Sequence, residues 1–276
     1  MKRIDKNALL KTDFHTHSNF SPDSKASMET MVVEAINRKI TDLAFTDHVD
    51  LDADLEVHGL DWDFDRSNYE KSINELNGTY GEKIRIYQGI EIGIQPHLAK
   101  ANTAIIQESA FDFVIGSVHS VERRDLYHRK FFDSHSDKEA VRIYFEEMYE
   151  SVKSFDALSV LGHLDLYKRY KPELGKIKLN EYQEIVEEIF KHLIQNGKGI
   201  EINSGGHRYG LDQNNPSDQL LKLYKEMNGE VITLGSDAHG PEFLAYKYEE
   251  NIEKIKAMGF KYICTFNKMK PIFHKI

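Results

Sequence analysis

Short apolar segments of strand length alternate along this chain with segments in which apolar residues recur every three or four positions. The strand-like segments cover residues 42–46, 84–92, 111–118, 158–164, 199–203, 230–236 and 261–266. Several are apolar almost without interruption, which is typical of strands that are covered on both faces. Helical patterns lie between them. This order predicts a mostly parallel sheet with helices outside it, closed as a barrel or open.

The helical patterns carry recognisable start and stop signals. Ser27 is placed to cap a helix over "SMETMVVEAINRKI", and Ser136 with Glu139 has the spacing of a capping box. The pattern "NEYQEIVEEIFKHLIQNGKG" ends at Gly197. Further helices are predicted over residues 217–228 and 248–258. Since no repeat or linker divides the chain, we expect one domain over residues 1–276.

Polar side chains stand where the apolar segments end. In a barrel of parallel strands the carboxyl ends of all strands meet at one face, so residues far apart in sequence converge there. His15 and His17 are two positions apart, so in an extended segment both point to the same side. The residues at these ends are His15, His17, Asp47, His48, Glu91, His119, His163, Glu201, Asn203, Asp237 and His239.

Imidazole and carboxylate groups without thiolate predict a site for zinc, manganese or iron, and ligand type alone does not choose among these metals. One tetrahedral zinc needs three or four protein ligands, whereas nine candidates fit two or three ions. A carboxylate such as Glu91 would bridge a pair of them. The nine candidates are His15, His17, Asp23, His48, Glu91, His119, His163, Asp237 and His239.

Composition narrows the class of partner. The formal charge of −9 over 276 residues argues against a nucleic-acid backbone as the main partner, although a local basic patch could override it. No apolar run approaches the length of a membrane span, and the amino terminus lacks the apolar core of a signal peptide. The single cysteine, Cys264, fits a reducing compartment. We therefore expect a cytoplasmic protein of undetermined oligomeric state, without a membrane partner.

The motifs "HTHSNFSPD", "LAFTDH", "GIEIG", "GSVHS", "LGHLDL" and "GSDAH" resemble, in order and spacing, those of the polymerase and histidinol phosphatase (PHP) superfamily of metal-dependent phosphoesterases. The resemblance runs from about residue 11 to residue 240 and is strongest to the monofunctional histidinol phosphatases. It implies a distorted (β/α)7 barrel, similar to a TIM barrel, with three divalent metal ions. Aspartate at position 23, where some superfamily members have histidine, favours the narrower group.

The resemblance also implies how the ligands divide among three ions. The first ion would be held by His15, His17, Glu91 and Asp237, the second by Asp23, His48 and His239, and the third by His119, His163 and the bridging Glu91. The implied reaction is hydrolysis of L-histidinol phosphate to L-histidinol and phosphate, a step of histidine biosynthesis. A hydroxide bridging two metals would attack phosphorus, because bound cations lower the pKa of water.

Fewer signals identify the groups that would bind the phosphate and protonate the leaving oxygen. Arg208 is the favoured phosphate ligand, since a guanidinium donates two parallel hydrogen bonds, and it resembles the family's arginine after the strand that ends in Asn203. Proton delivery could fall to Asp237, to His239 or to a metal-bound water. The further candidates for substrate contacts are Arg169, Lys168, Asn203 and His207.

Three alternatives bear on the substrate. Residues 47–65 carry eight acidic side chains and no Lys or Arg. This acidic stretch would attract a cationic amine, or it is simply a solvated loop. The same chemistry could act on another small phosphomonoester or, as an exonuclease, on nucleic acid, which the negative charge disfavours. A non-catalytic barrel would have lost ligand positions, and here all nine hold residues able to bind metal.

Overall fold

The structure is a computed structural model that describes residues 10–51, 53 and 61–276. The strands of its main sheet are β1 (Thr12–Thr16), β2 (Asp42–Phe45), β3 (His48–Val49), β4 (Arg85–Gly93), β5 (Phe113–Ser117), β8 (Val160–Leu161), β9 (Gly199–Asn203) and β10 (Ile232–Gly235). Seven of them are parallel neighbours in the order β1, β2, β4, β5, β8, β9, β10, and the short β3 pairs with β4.

Two antiparallel hairpins accompany the main sheet. They consist of β6 (Ser120–Val121) with β7 (Arg124–Asp125), and β11 (Tyr262–Asn267) with β12 (Lys270–Lys275). The segment 261–266 was grouped with the parallel runs by its apolar character, and this placement is wrong. Its strand β11 pairs with β12, a strand whose largely exposed residues gave no sequence signal.

Helices cover the outside of the sheet. The α-helices are α1 (Met28–Asn37), α2 (Arg66–Tyr80), α3 (Ala99–Gln107), α4 (Lys130–Asp133), α5 (Asp137–Ser154), α6 (Tyr167–Tyr170), α7 (Gln183–Gln195), α8 (Gly205–Arg208), α9 (Asp218–Glu226) and α10 (Tyr248–Ala257). Short 3-10 helices span Pro96–Leu98, Leu126–His128, Pro172–Lys176, Leu179–Glu181 and Pro241–Phe243.

The predicted helix signals are confirmed. The Ser27 side chain accepts a hydrogen bond from the backbone N–H of Thr30, and the capping box of Ser136 and Glu139 is present. Helix α7 ends at Gln195, and Gly197 follows it with a φ of 67°, a conformation that favours glycine. Helices α2 and α3 were not predicted, because their apolar stripes are short.

The last strand returns to the first, so the sheet is a nearly closed barrel. The backbone N–H of His17 donates to the carbonyl of Ala238 at 2.9 Å, and that of Asp237 donates to the carbonyl of His15 at 2.8 Å. A bridge between Thr16 and Ala238 is parallel. The expected distorted (β/α)7 barrel is therefore confirmed, and it is nearly closed.

The barrel interior is divided into two layers along the strand direction. Near the amino ends of the strands lies an apolar layer that consists of Phe14, Ala44, Tyr87, Phe113, Ile115, Val160, Cys264 and Phe266. The last two come from β11, whose residues close this end of the barrel; the rings of Phe113 and Phe266 are 5.1 Å apart. A larger apolar core lies between the sheet and the helices. The carboxyl ends of the strands carry the polar residues.

Burial raises the pKa of the Cys264 thiol to about 12, which is typical of a structural thiol in an apolar layer.

Within the described part of the chain, none of the helices combines the length and the apolar character that a membrane crossing requires.

Candidate metal centre

Glu91 lies at the centre of the polar end of the barrel and is fully buried. Its position follows from the sheet register, since it pairs with His48 on β3 and with Ile115 on β5. Five imidazoles approach its carboxylate, and Ser117 donates a hydrogen bond to Oε1 at 2.6 Å. The imidazole distances are 3.1 Å for His15, 3.5 Å for His17, 3.0 Å for His48, 3.3 Å for His119 and 2.7 Å for His163.

Strand β1 delivers two of these imidazoles through an irregular register. Asp13 pairs with Leu43 but Thr16 pairs with Phe45, so β1 has one residue more than β2 over this interval. Such a bulge turns side chains away from strict alternation. As a result Phe14 enters the apolar layer, while the next residue, His15, reaches the polar end.

Asp237 adds a second buried carboxylate beside the imidazoles of β1. Its Oδ1 lies 3.3 Å from Nε2 of His17 and 3.7 Å from Nε2 of His15. Asp237 has a φ of 56°, a left-handed conformation that costs free energy in a residue with a side chain and is common at functional sites. The neighbouring Gly235 is required for space, because a Cβ there would lie 2.2 Å from Oε1 of Glu201.

The remaining predicted ligand of the opening motif, Asp23, lies at the edge of the same group. Its Oδ2 is 3.0 Å from Nε2 of His239 and 3.8 Å from Nε2 of His48. The rings of His17 and His239 are stacked with their centroids 4.0 Å apart. The structure thus brings together all nine predicted ligand residues.

Hydrogen-bond acceptors orient four of the imidazoles in the same way, each through Nδ1. His15 donates from Nδ1 to Glu201 at 2.6 Å, His119 to Asp50 at 2.9 Å, and His239 to the carbonyl of Asp237 at 3.0 Å. His17 donates from Nδ1 to the hydroxyl of Ser21 at 3.0 Å, because the Ser21 proton is given to Asp47. Each neutral ring therefore presents an unprotonated Nε2 to the site, as a metal ligand does.

Sequence reasoning missed several of these orienting groups. Glu201 was noticed at the end of its strand but received no role, and Asp50 was considered only as part of an acidic stretch. Glu201 also accepts from the backbone N–H of His163 at 2.9 Å. The side-chain alternation of β9 could have predicted a role for Glu201, because Glu201 and Asn203 are two positions apart and therefore face the same side of the strand.

The protonation states expected of ligands are favoured at two central residues. Burial by itself would raise the pKa of Glu91, but the imidazoles of His15, His48 and His119 hold it well below its usual range. Burial and the neighbouring His239 and His48 lower the pKa of His17 well below its usual range. An ionised carboxylate and a neutral imidazole are the forms that bind metal.

Three imidazoles behave differently. Burial opposes the charge of His15, but the carboxylates of Glu201, Glu91 and Asp237 raise its pKa well above the usual range. Burial also opposes the charge of His48 and His119, but neighbouring carboxylates raise the pKa of His48 to about 9 and that of His119 well above its usual range. A cation bound beside His15 would replace this proton, so metal binding and protonation compete there.

Donor atoms of the site converge closely enough for metal ions. Four sets of three residues place one donor atom each within 4.8 Å of one another. Within the described residues, buried atoms of this group lack a hydrogen-bond partner, as expected of atoms meant for a cation. The sets are His15, His17 and Asp237; His17, His48 and His239; His15, Glu91 and His163; and His48, Glu91 and His119. The atoms are Nε2 of His15, His17 and His239, Nδ1 of His48 and His163, and Oε2 of Glu91. The residues present therefore fit divalent metal ions.

The other candidates for substrate contacts occupy different environments. Arg169 lines the cavity above the metal centre, with Nη1 3.7 Å from Oδ2 of Asp237, and its guanidinium lies 3.2 Å over the ring of Tyr209. Arg208 donates instead to the backbone carbonyls of Ser236 and Asp237. These contacts place Arg208 against the turn that holds Asp237, and they favour Arg169 as the arginine that faces a ligand.

Asn203, His207 and Lys168 lie away from the cavity lining. The Asn203 amide donates to Oε2 of Glu201 at 3.1 Å, which makes it a support for that carboxylate. His207 lies 3.8 Å from Asp212. Lys168 is buried and donates to Asp165 at 2.6 Å. Their predicted roles toward a substrate stay predictions that the contacts do not favour.

The acidic stretch 47–65 is only partly within the described residues, since 52 and 54–60 lie outside them. Among the rest, Asp47 accepts four hydrogen bonds from Ser18 and Ser21. Asp65 caps α2, and Asp63 pairs with Arg66. These carboxylates have structural roles.

The cavity has a volume of about 300 Å³, at the lower end for a small-molecule site.

A family model described as the PHP domain matches residues 13–205, and a histidinol-phosphatase of Lactococcus lactis is 34% identical over 95% of this chain and 96% of its own length. The chain belongs to the PHP domain family. A probable histidinol-phosphatase of Clostridium acetobutylicum is 28% identical over 90% of this chain and 94% of its own.

A solved structure agrees with these relatives. It is a crystal structure of histidinol phosphate phosphatase from Lactococcus lactis complexed with zinc, L-histidinol and phosphate. It superposes with a TM-score of 0.85 at 30% identity, covering 96% of this chain and 100% of the other. The family resemblance read from the motifs is thus confirmed.

Proposed function

We propose that this protein hydrolyses L-histidinol phosphate to L-histidinol and phosphate, a step of histidine biosynthesis, at a site for three divalent metal ions that include zinc. One observation carries the metal site: the imidazoles of His15, His17 and His119 are fixed through Nδ1 and present Nε2 to one buried carboxylate, that of Glu91. The substrate is supported by the relatives, which are named histidinol-phosphatases, and by the Lactococcus structure with zinc, L-histidinol and phosphate.

The nine ligands would divide among the ions as the family resemblance implies, with Glu91 shared. Divalent metals supply a nucleophilic water at neutral pH and neutralise phosphoryl oxygens. Manganese and iron are the alternatives to zinc that the same donor set accepts. Glu201, Asp50 and Ser21 would keep three ligand imidazoles in the correct tautomer and orientation.

Hydrolysis forms a bond from a water oxygen to phosphorus, breaks the bond from phosphorus to the ester oxygen, and moves one proton to that leaving oxygen. Arg169 is placed to bind the phosphoryl group, since it lines the cavity beside Asp237. Arg208 would act by holding the turn of Asp237. Asp237 and His239, which also line the cavity, are the protein groups that could deliver the proton.

Nucleic acid is the weaker alternative as a substrate. Arg169 is the single Lys or Arg among the described residues that line the cavity, whereas a groove for a nucleic-acid strand tracks the backbone with many positive charges. We propose a small phosphomonoester as the partner and the cytoplasm as the compartment.

The test is phosphate release by the purified protein supplied with zinc or manganese. L-Histidinol phosphate is compared with a panel of phosphomonoesters and with a short single-stranded oligonucleotide. We expect kcat/KM for L-histidinol phosphate to exceed the others by orders of magnitude. Equal turnover of the panel would overturn the substrate, and release from the oligonucleotide alone would favour an exonuclease. Glu253→Gln, on an exposed face of α10, is the control variant that should match the wild type.

A further inference from the structure

The cavity lining falls into two sets of residues with different chemistry. One set consists of the candidate metal ligands and Arg169. The second set lies outside the nine ligands and contains two carboxylates, two small side chains and three aromatic rings. Its members are Asp50, Ala53, Trp62, Ser120, Asp125, Tyr127 and Tyr170. A phosphate ester bound with its phosphoryl group at the metal ligands would place its alcohol part against this second set.

Asp125 is the carboxylate of the second set that stands apart from the imidazole cluster. The other one, Asp50, has Oδ1 and Oδ2 at 2.9 and 3.1 Å from Nδ1 of His119, so it belongs to the metal centre. Asp125 lies on the β6–β7 hairpin, where it pairs with Ser120. The backbone N–H of Leu126 donates to the carbonyl of His119 at 3.0 Å, which anchors this hairpin on a ligand residue.

Local contacts hold the Asp125 side chain in place. Its Oδ1 accepts a hydrogen bond from the backbone N–H of Tyr127 at 2.7 Å, as a cap of the short helix Leu126–His128. The ring of Tyr127 meets that of Tyr170 edge to face, with centroids 6.2 Å apart. The hairpin therefore presents a fixed carboxylate and an aromatic surface to the same cavity.

We propose that Asp125 and Tyr127 form the specificity subsite for the leaving group: Asp125 pairs with the primary ammonium of the substrate, and the Tyr127 ring packs on its imidazole. This rests on the proposed function and deepens it, since it selects cationic, aromatic alkyl phosphates. An ammonium is attracted by a carboxylate, and an imidazole gains contact area by packing on an aromatic ring. The acidic group that recognises the amine is thus Asp125 on the β6–β7 hairpin.

The experiment compares L-histidinol phosphate with its des-amino analogue, 3-(imidazol-4-yl)propyl phosphate. Asp125→Asn keeps the size and the capping ability of the side chain but removes its charge. We expect kcat/KM for L-histidinol phosphate to fall about 10- to 100-fold, mainly through KM, and that for the analogue to change less than about twofold. Metal content should equal that of the wild type.

The matched control is Glu122→Gln on the same hairpin, because Glu122 pairs with His135 outside the cavity. It removes the same charge and should change neither substrate. Tyr127→Leu is the second variant, and it should raise KM for both substrates, since both carry the imidazole.

Equal losses on both substrates in Asp125→Asn would overturn the inference and make Asp125 a positioning residue. No loss on either substrate would also overturn it. Failure of the proposed function is distinguishable, because it would appear in the wild type as no preference for L-histidinol phosphate. In that case the ammonium subsite is tested with the same variants by comparing kcat/KM for phosphoethanolamine, which carries an amine, with kcat/KM for ethyl phosphate, which does not.

Discussion

The two layers of the barrel interior are built from the same strands but have opposite chemistry. Strand β4 supplies Tyr87 to the apolar layer and Glu91 to the metal centre, and β5 supplies Phe113 and then Ser117. Both layers are buried. In the apolar layer the side chains satisfy one another by packing, whereas in the metal centre donor atoms face each other without partners. Burial alone therefore does not distinguish the core from the site, whereas buried polar atoms without a hydrogen-bond partner do.

The largest effect should come from the residue that all five central imidazoles approach. Glu91→Gln removes the shared carboxylate charge, so we expect metal content to fall and activity to drop by more than the roughly 10- to 100-fold typical of residues that only support a ligand. Metal analysis and phosphate release measure this, with Glu253→Gln as control. An active, fully metallated Glu91→Gln protein would contradict the central role of Glu91.

A substitution in the apolar layer should give the reverse pattern. Phe113→Ala leaves a cavity among Phe14 and Phe266, and we expect the free energy of unfolding to fall by about 3–5 kcal/mol. Activity per folded molecule and metal content should remain close to those of the wild type. Urea unfolding of the metal-loaded protein, read together with steady-state kinetics, checks this. Loss of metal without loss of stability would show that the layers are not separate.

The orienting groups should give a smaller loss than the ligands. Glu201→Gln keeps the shape of the side chain but weakens its hold on the Nδ1–H of His15, so we expect activity or metal affinity to fall by about 10- to 100-fold. Titration with zinc and phosphate release measure the two effects. The exposed Glu188→Gln on α7 serves as control. A loss as large as that of Glu91→Gln would mean that Glu201 is itself a ligand.

The smallest effect is expected at the cysteine of the apolar layer. Because burial raises its pKa to about 12, the Cys264 thiol should react with a thiol reagent at pH 8 far more slowly in the folded protein than in denaturant. Labelling followed by absorbance measures both rates. Fast labelling of the folded, active enzyme would show that β11 does not seal this end of the barrel.

Much of the site could be predicted because its residues follow a rule of the fold. Parallel strands deliver their carboxyl ends to one face, so His15, His48, His119 and Asp237 could be expected to meet there. The choice between Arg169 and Arg208 could not be made in this way. Both are arginines near strand ends, and only the structure shows that Arg208 is engaged by two backbone carbonyls while Arg169 lines the cavity.

The sequence by itself determined the strand and helix periodicity, the helix caps, the family and the nine candidate ligands, because these depend on local patterns and on the types of residues. The tertiary structure decided which groups orient those ligands, that β11 pairs with β12 and covers the amino end of the barrel, and that Asp125 lines the cavity. These depend on contacts between residues far apart in sequence: Glu201 lies 186 positions from His15, yet their side chains are 2.6 Å apart. No periodicity encodes such a distance; it arises only when the barrel closes and the strand ends converge.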